Sequence, residues 1–129
     1  MVLSFRRKLG RQTVGRRGER VAARWLRRNG FKIIGRNVRV GVGEADIVCL
    51  DRDRRTVVVV EVKARMMTDQ RTPRPERNVG QRKQHKLRQV TASIRQKYKL
   101  QDRPVRIDVV GVEFRRGHRP VIRHHPRAV

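Results

Sequence analysis

At 129 residues the chain is one domain with room for one modest core, and with aromatics at 4% that core must be built mainly from Val, Leu, Ile and Ala. Lys and Arg number 35 against 11 Asp and Glu, a net charge of +24 that repels itself in isolation and points to a polyanionic partner, nucleic acid before any other. A membrane is not the expected partner: no apolar run approaches the roughly 20 residues of a bilayer span, and nucleic acid is favoured over an anionic membrane surface because no helical segment pairs a wide apolar face with a basic one.

Residues 1–13 form a basic arm low in apolar content. From Val14 to Asn29 the positions Val14, Gly18, Val21, Ala22, Trp25 and Leu26 recur at helical spacing, and Asn29-Gly30 supplies a stop. Phe31 to Val40 reads as a strand and Gly41 to Gly43 as a turn. Two further strands, Glu44 to Leu50 and Val57 to Lys63, flank the polar segment Asp51-Arg52-Asp53-Arg54-Arg55, which predicts an antiparallel hairpin. Residues 65–80 contain Pro73, Pro75 and Gly80 with few apolar groups and are expected to be a loop. Lys83, Leu87, Val90, Ile94 and Tyr98 share a helical stripe, so Arg82 to Lys99 is the second helix; Val105 to Phe114 is the last strand, and residues 115–129 are a basic tail of weak pattern.

Two segments of the hairpin carry charge where a buried sheet would carry none: Gly43-Glu44-Ala45-Asp46-Ile47-Val48 and Val59-Val60-Glu61-Val62-Lys63. Burying a charge is costly unless something pairs with it. If Asp51 faces Thr56 across the turn, opposed positions sum to 107, which sets Asp46 across from Glu61, sets Glu44 across from Lys63, and puts all four on one face. Directly opposed side chains lie roughly 5 Å apart, where like charges repel, and a divalent cation between the acids would remove that penalty.

An Asp followed, one hairpin later, by Glu-x-Lys at the end of an apolar strand is the pattern of the PD-(D/E)xK nuclease superfamily. The ordered set Gly18-Glu19, Ala22, Trp25-Leu26, Gly30-Phe31, Arg36-Asn37, Arg39, Gly43 to Val48, Val60 to Arg65, Lys83 and Arg106-Ile107-Asp108-Val109 closely resembles the bacterial YraN-like family, described as uncharacterised and related to archaeal Holliday-junction resolvases. The resemblance covers about residues 14–114. It implies an α/β fold with a restriction-endonuclease-like core: a helix, a three-stranded antiparallel meander, a helix, and a further strand in a mixed sheet. It further implies that residues 14–114 are a nuclease-like domain hydrolysing phosphodiester bonds, of branched DNA by family analogy, with Mg²⁺ or Mn²⁺ as cofactor. In that frame Asp46, Glu61 and the Val62 carbonyl hold the metal, Lys63 is catalytic, and Glu19 is the family's helix-one acid. Arg36, Arg39, Arg65 and Lys83 are the expected nucleic-acid contacts, and the resolvase relation implies a homodimer. This chain departs from the family pattern at Ile107, where an aromatic is usual, and after Arg65, where Phe-Gly is frequent.

Each of these residues also has a structural reading. Glu19 as an exposed helical acid paired with a neighbouring Arg is the ordinary case, and Lys63 two residues from Glu61 could serve as its counter-ion. Asp108 interrupts an apolar strand, but Arg106 lies on the same face and can neutralise it, so its role is structural. His124 and His125 stand in the basic tail without metal spacing and are taken as inert. Cys49 is the single cysteine, so neither a disulfide nor a cysteine zinc site is available. No apolar stretch follows Arg6, Arg7 and Lys8 as a secretory signal requires, and a cytoplasmic protein is expected. The competing function is a non-catalytic nucleic-acid binder, ribosome-associated or architectural, in which the carboxylates are idle.

Overall fold

A computed structural model describes residues 13–67, 74, 76 and 79–129. Apart from Thr13, the basic arm lies outside the described residues, as does much of the loop expected over residues 65–80. The elements run α1 (Val14–Arg28), β1 (Lys32–Val40), β2 (Gly43–Leu50), β3 (Val57–Met66), α2 (Gln81–Lys97), β4 (Val105–Phe114) and β5 (Val121–His125). They form one mixed sheet in the order β1-β2-β3-β4-β5, with β3 and β4 parallel and every other pair antiparallel. This is the α/β architecture expected, consistent with a restriction-endonuclease-like core. Among the described residues, no helix is long and apolar enough to cross a membrane.

Local chemistry explains the helix limits. Thr13 caps α1 by accepting the Arg16 N–H at 3.2 Å, and Arg27 and Arg28 in its last turn suit the negative end of the helix dipole. The parallel step from β3 to β4 needs a long crossover, and α2 supplies it. Each helix covers one face of the sheet. On the α2 side lie Ile34, Val38, Ala45, Val48, Val57, Val59, Val90 and Ile94; on the α1 side lie Ala22, Leu26, Phe31, Ile47, Cys49, Val58, Val60, Val110 and Phe114. Residues on the central β3 from Val57 to Val60 are buried on both faces, which is why that run is valine throughout.

Gly18 lets α1 sit close on β3. A Cβ added there would overlap the Ala64 Cβ and also meet a Val62 methyl. Nothing in the strand can yield without moving backbone.

Three sequence expectations need correction. β3 continues past Lys63 to Met66, because β4 pairs with it as far as Phe114. The tail contains a fifth strand, β5, paired with β4 from Val109↔His125 to Glu113↔Val121. Its pattern looked weak because an edge strand can be held by ions rather than by apolar alternation. Arg123 of β5 pairs with Glu76 and Glu113, and Arg65 of β3 reaches Glu113 at 2.8 Å. His124, far from inert, brings Nε2 within 2.7 Å of Asp108 Oδ2 and packs its ring against Trp25 and Phe31.

The structural reading of Asp108 holds. It is fully buried, and Arg106 donates to both its oxygens at 3.0 and 3.2 Å while also pairing with Asp51. Burial alone would raise its pKa, but the bonds from His124, Arg106 and the Arg127 N–H outweigh burial and hold the carboxyl below its ordinary value.

Gly18→Ala is expected to destabilise the protein by about 1–3 kcal/mol, although alanine favours helix, because the close approach is overpacked; urea unfolding measures it. A carboxyl whose folded pKa is depressed gives stability that is present above its unfolded pKa, about 3.9, and lost as pH falls through the folded value. Asp108→Asn should therefore cost about 3 kcal/mol at pH 7 and narrow the difference in unfolding free energy between pH 7 and pH 3.

Candidate active site

The β2–β3 ladder runs Leu50↔Val57, Cys49↔Val58, Val48↔Val59 and Ile47↔Val60, and Asp51 N–H donates to the Thr56 carbonyl at 2.9 Å. Opposed positions sum to 107 throughout, as the sequence predicts. Beyond Ile47 and Val60 the ladder stops and the strands part. The Asp46 side chain enters the gap, where its Oδ2 accepts the Val62 N–H at 2.8 Å. A side-chain oxygen thus replaces a ladder carbonyl and satisfies a donor that the separation would strand.

Glu61 stands one residue away, buried at 5% exposure. Lys63 Nζ lies 3.5 Å from its Oε1 and Lys83 Nζ, at the start of α2, lies 3.2 Å from the same atom. Three of the four expected catalytic positions, Asp46, Glu61 and Lys63, therefore meet at the fork, and Lys83 joins them from the far side of the crossover.

The electrostatics single out Asp46. Its carboxyl is pushed up to about 8, first by burial, then by the charge of Glu61, with Glu19 adding to the same effect and the Val62 N–H opposing it. Two carboxylates held this close cannot both ionise cheaply without a cation between them.

Glu19 approaches from α1. The Asn37 amide nitrogen, turned toward the surrounding acceptors, donates to Glu19 Oε2 at 3.1 Å and to Glu44 Oε1 at 3.0 Å. Among the described residues no group of three His, Cys, Asp or Glu side chains is close enough to cage a metal ion, so the candidate ligand set is Asp46, Glu61 and a backbone oxygen at Val62.

Glu44 departs from expectation. The β2–β3 ladder ends before it could pair with Lys63, and its carboxylate turns instead to Arg39, its β1 neighbour, whose Nε lies 3.4 Å from Glu44 Oε2. The reason is a change of face at Asp46. Ala45 packs on the α2 side and Ile47 on the α1 side, although residues two apart on a regular strand share a face. The step inverts everything N-terminal to Asp46, including Glu44.

The expected nucleic-acid contacts are differently placed. Arg39 is exposed beside Glu44 and Lys83 is 43% exposed. Arg36 is half-buried; burial holds its pKa down, Glu19 opposes this, and Arg27 and Arg20 add to it. Arg65 is 15% exposed and engaged with Glu113.

An acid whose folded pKa is raised holds a proton that the unfolded chain has released, so the native state loses stability as pH rises from about 4 toward about 8. Asp46→Asn keeps an acceptor for Val62 and removes that loss. The variant is expected to be more stable than the parent without added metal, by on the order of 1–3 kcal/mol at pH 8 and by little at pH 5, as read from urea unfolding at both pH values.

A family model described as Uncharacterised protein family UPF0102 matches residues 18–112. A UPF0102 protein of Anaeromyxobacter dehalogenans is 39% identical over 119 residues, covering 92% of this chain and 85% of its own length. One from Trichlorobacter lovleyi is 38% identical over 119 residues, covering 92% and 91%, and one from Leifsonia xyli is 38% identical over 116 residues, covering 90% and 95%. The match takes in α1 from Gly18 onward, β1, β2, β3 and α2 whole, and β4 as far as Val112, so that every residue of the fork lies inside it: the chain belongs to the UPF0102 family, the YraN-like group of bacterial proteins.

Proposed function

We propose that this protein is a divalent-metal-dependent nuclease that hydrolyses phosphodiester bonds at the fork between β2 and β3, with DNA, branched DNA included, as substrate. The observation that carries the reading is the forced pair of Asp46 and Glu61. A chain with 11 acids against 35 Lys and Arg spends two of the acids side by side at a break in its sheet, at a cost to its own stability. A protein that merely coats a polyanion gains nothing from acids there.

The donor set suits the cofactor. Asp46 and Glu61 offer carboxylate oxygens and Val62 a backbone carbonyl, the hard ligands preferred by Mg²⁺ or Mn²⁺, and the proton that Asp46 holds up to about pH 8 is the charge that an ion would replace. Bound there, the ion would polarise the phosphate and acidify a water molecule.

The chain's own groups supply the rest. Lys63, held beside Glu61, offers its ammonium to the charge that grows on the phosphorane-like transition state. Lys83, more exposed, can turn from Glu61 to a phosphate oxygen. Arg39, exposed on β1, and the half-buried Arg36 would contribute non-specific phosphate attraction, which weakens with salt. Glu19 stands close enough to act on Asp46 and serves as a further acid at the rim.

Labelled single-stranded, duplex and four-way-junction DNA incubated with Mg²⁺, Mn²⁺ or EDTA tests the reading, with Glu61→Gln run alongside. Cutting that requires metal and vanishes in the variant is expected; tight binding without cutting under either metal would make this a non-catalytic binder instead. Lys63→Ala should lower cleavage by at least about 100-fold while changing DNA affinity by less than about threefold, since one lysine among many phosphate contacts contributes little to binding.

A further inference from the structure

We infer that Asn37 is a positioning residue of this site: its left-handed backbone turns over the outer end of the β1–β2 hairpin, and its amide ties Glu19 of α1 to Glu44 of β2 at the rim of the fork. The inference rests on reading the fork as catalytic, and goes beyond it by assigning a role to a residue that touches neither Asp46 nor Glu61 in the hydrogen-bond pattern.

Three observations converge on this position. The first is backbone conformation. Asn37 has φ +50° in the middle of a strand, a region costly for ordinary residues and tolerated best by Gly and Asn.

The second is register. In the β1–β2 ladder, Arg36 pairs with Ile47 and Val38 with Ala45, so Asn37 lies opposite Asp46. The face change on β2 falls between Ile47 and Ala45, which belong to different cores. On the far side of the switch Val38 packs with Ala45 on the α2 side, so both strands turn over together at one opposed pair and keep their register. The left-handed residue supplies the rotation on β1. Without it, regular alternation would carry Asp46 and Glu44 on one face, as expected from sequence, and Glu44 would crowd Asp46 and Glu61 with a further negative charge.

The third is the amide. Facing acceptor oxygens of two acids, it is oriented with its nitrogen toward them, and it then donates at 3.1 Å to Glu19 and at 3.0 Å to Glu44, one hydrogen to each of two different elements. Bonds to ionised acceptors are strong and directional, and this pair fixes where α1 presents its carboxylate.

Two substitutions separate backbone from amide. Asn37→Gly keeps the left-handed conformation and loses both donors; Asn37→Asp keeps some left-handed preference and turns the donor into an acceptor. Both are expected to fold, with a native amide spectrum, to bind Mn²⁺ at least about tenfold more weakly by calorimetry, and to lose kcat more than KM. An Asn37→Gly variant that binds Mn²⁺ and cuts like the parent overturns the inference, as does an Asn37→Asp variant that regains parental affinity. A readout independent of activity is the Asn37 side-chain NH₂ pair, followed by NMR. It should be protected from solvent exchange in the parent and lose that protection when Glu19→Ala and Glu44→Ala are combined. An unprotected amide in the parent overturns the clamp whatever the protein cuts. A protected amide in a parent that binds no Mn²⁺ retains the clamp and removes the nuclease, so the two failures are distinct.

Discussion

The site depends on one hydrogen bond, from the Val62 N–H to Asp46 Oδ2 at 2.8 Å. β3 is the central strand, bonded along its whole length to β4 but to β2 only as far as Val60. Where β2 leaves, the N–H of Val62 would be stranded in a largely buried position, and a lost backbone bond there costs about 1–3 kcal/mol. Asp46 supplies the acceptor. In doing so it is anchored beside Glu61, removed from water, and left with a carboxyl that resists ionisation. The repair of a backbone defect and the assembly of the two acids are therefore one event, and strain of this kind is characteristic of functional sites.

A second economy runs through the whole molecule. Acids are scarce, and few are used at the surface: Glu61, Glu76, Asp108 and Glu113 are all buried, each with a basic partner. The two interior networks do different work. Asp108, Arg106, Asp51 and His124 join β4 to the β2–β3 turn and to β5. Glu76, Glu113, Arg123 and Arg65 bind the edge strand and one residue of the β3–α2 connection to the centre of the sheet; Gly111 leaves the room that the Glu76 carboxylate occupies. Because these acids face inward, most of the described Lys and Arg side chains are exposed away from them, and the described surface is strongly positive.

The helices, the meander and the existence of a fourth strand were legible because their signals are local. Periodicity of 3.6 marked the buried stripe of α1 at Gly18, Ala22 and Leu26 and that of α2 at Leu87, Val90 and Ile94. A continuous run of valines marked a strand buried on both faces. The turn at Asp51 to Arg55 set the register, and with it the meeting of Asp46 and Glu61, because a hairpin leaves no freedom once its loop is known. β5 escaped because its stabilising partners, Glu76, Glu113 and Asp108, lie on other elements and its own residues, Val121-Ile122-Arg123-His124-His125, show no alternation of apolar and polar positions. His124 was passed over for the same reason: nothing near it in the chain reveals a buried aspartate and two aromatic rings.

By itself, then, the sequence determined which acids would be forced together and which lysine would stand beside them, since strand alternation and a short turn are geometric facts of a local segment. Tertiary structure alone decided where β2 and β3 part, that both β1 and β2 change face at Asn37 and Asp46, that Glu44 is drawn away to Arg39 and Asn37, and that Lys83 arrives at Glu61 across a crossover of about twenty residues. The physical reason is that alternation describes an undisturbed strand. A single left-handed residue resets it, and whether the chain accepts that residue is settled by the helix packed on one side and the carboxylates waiting on the other.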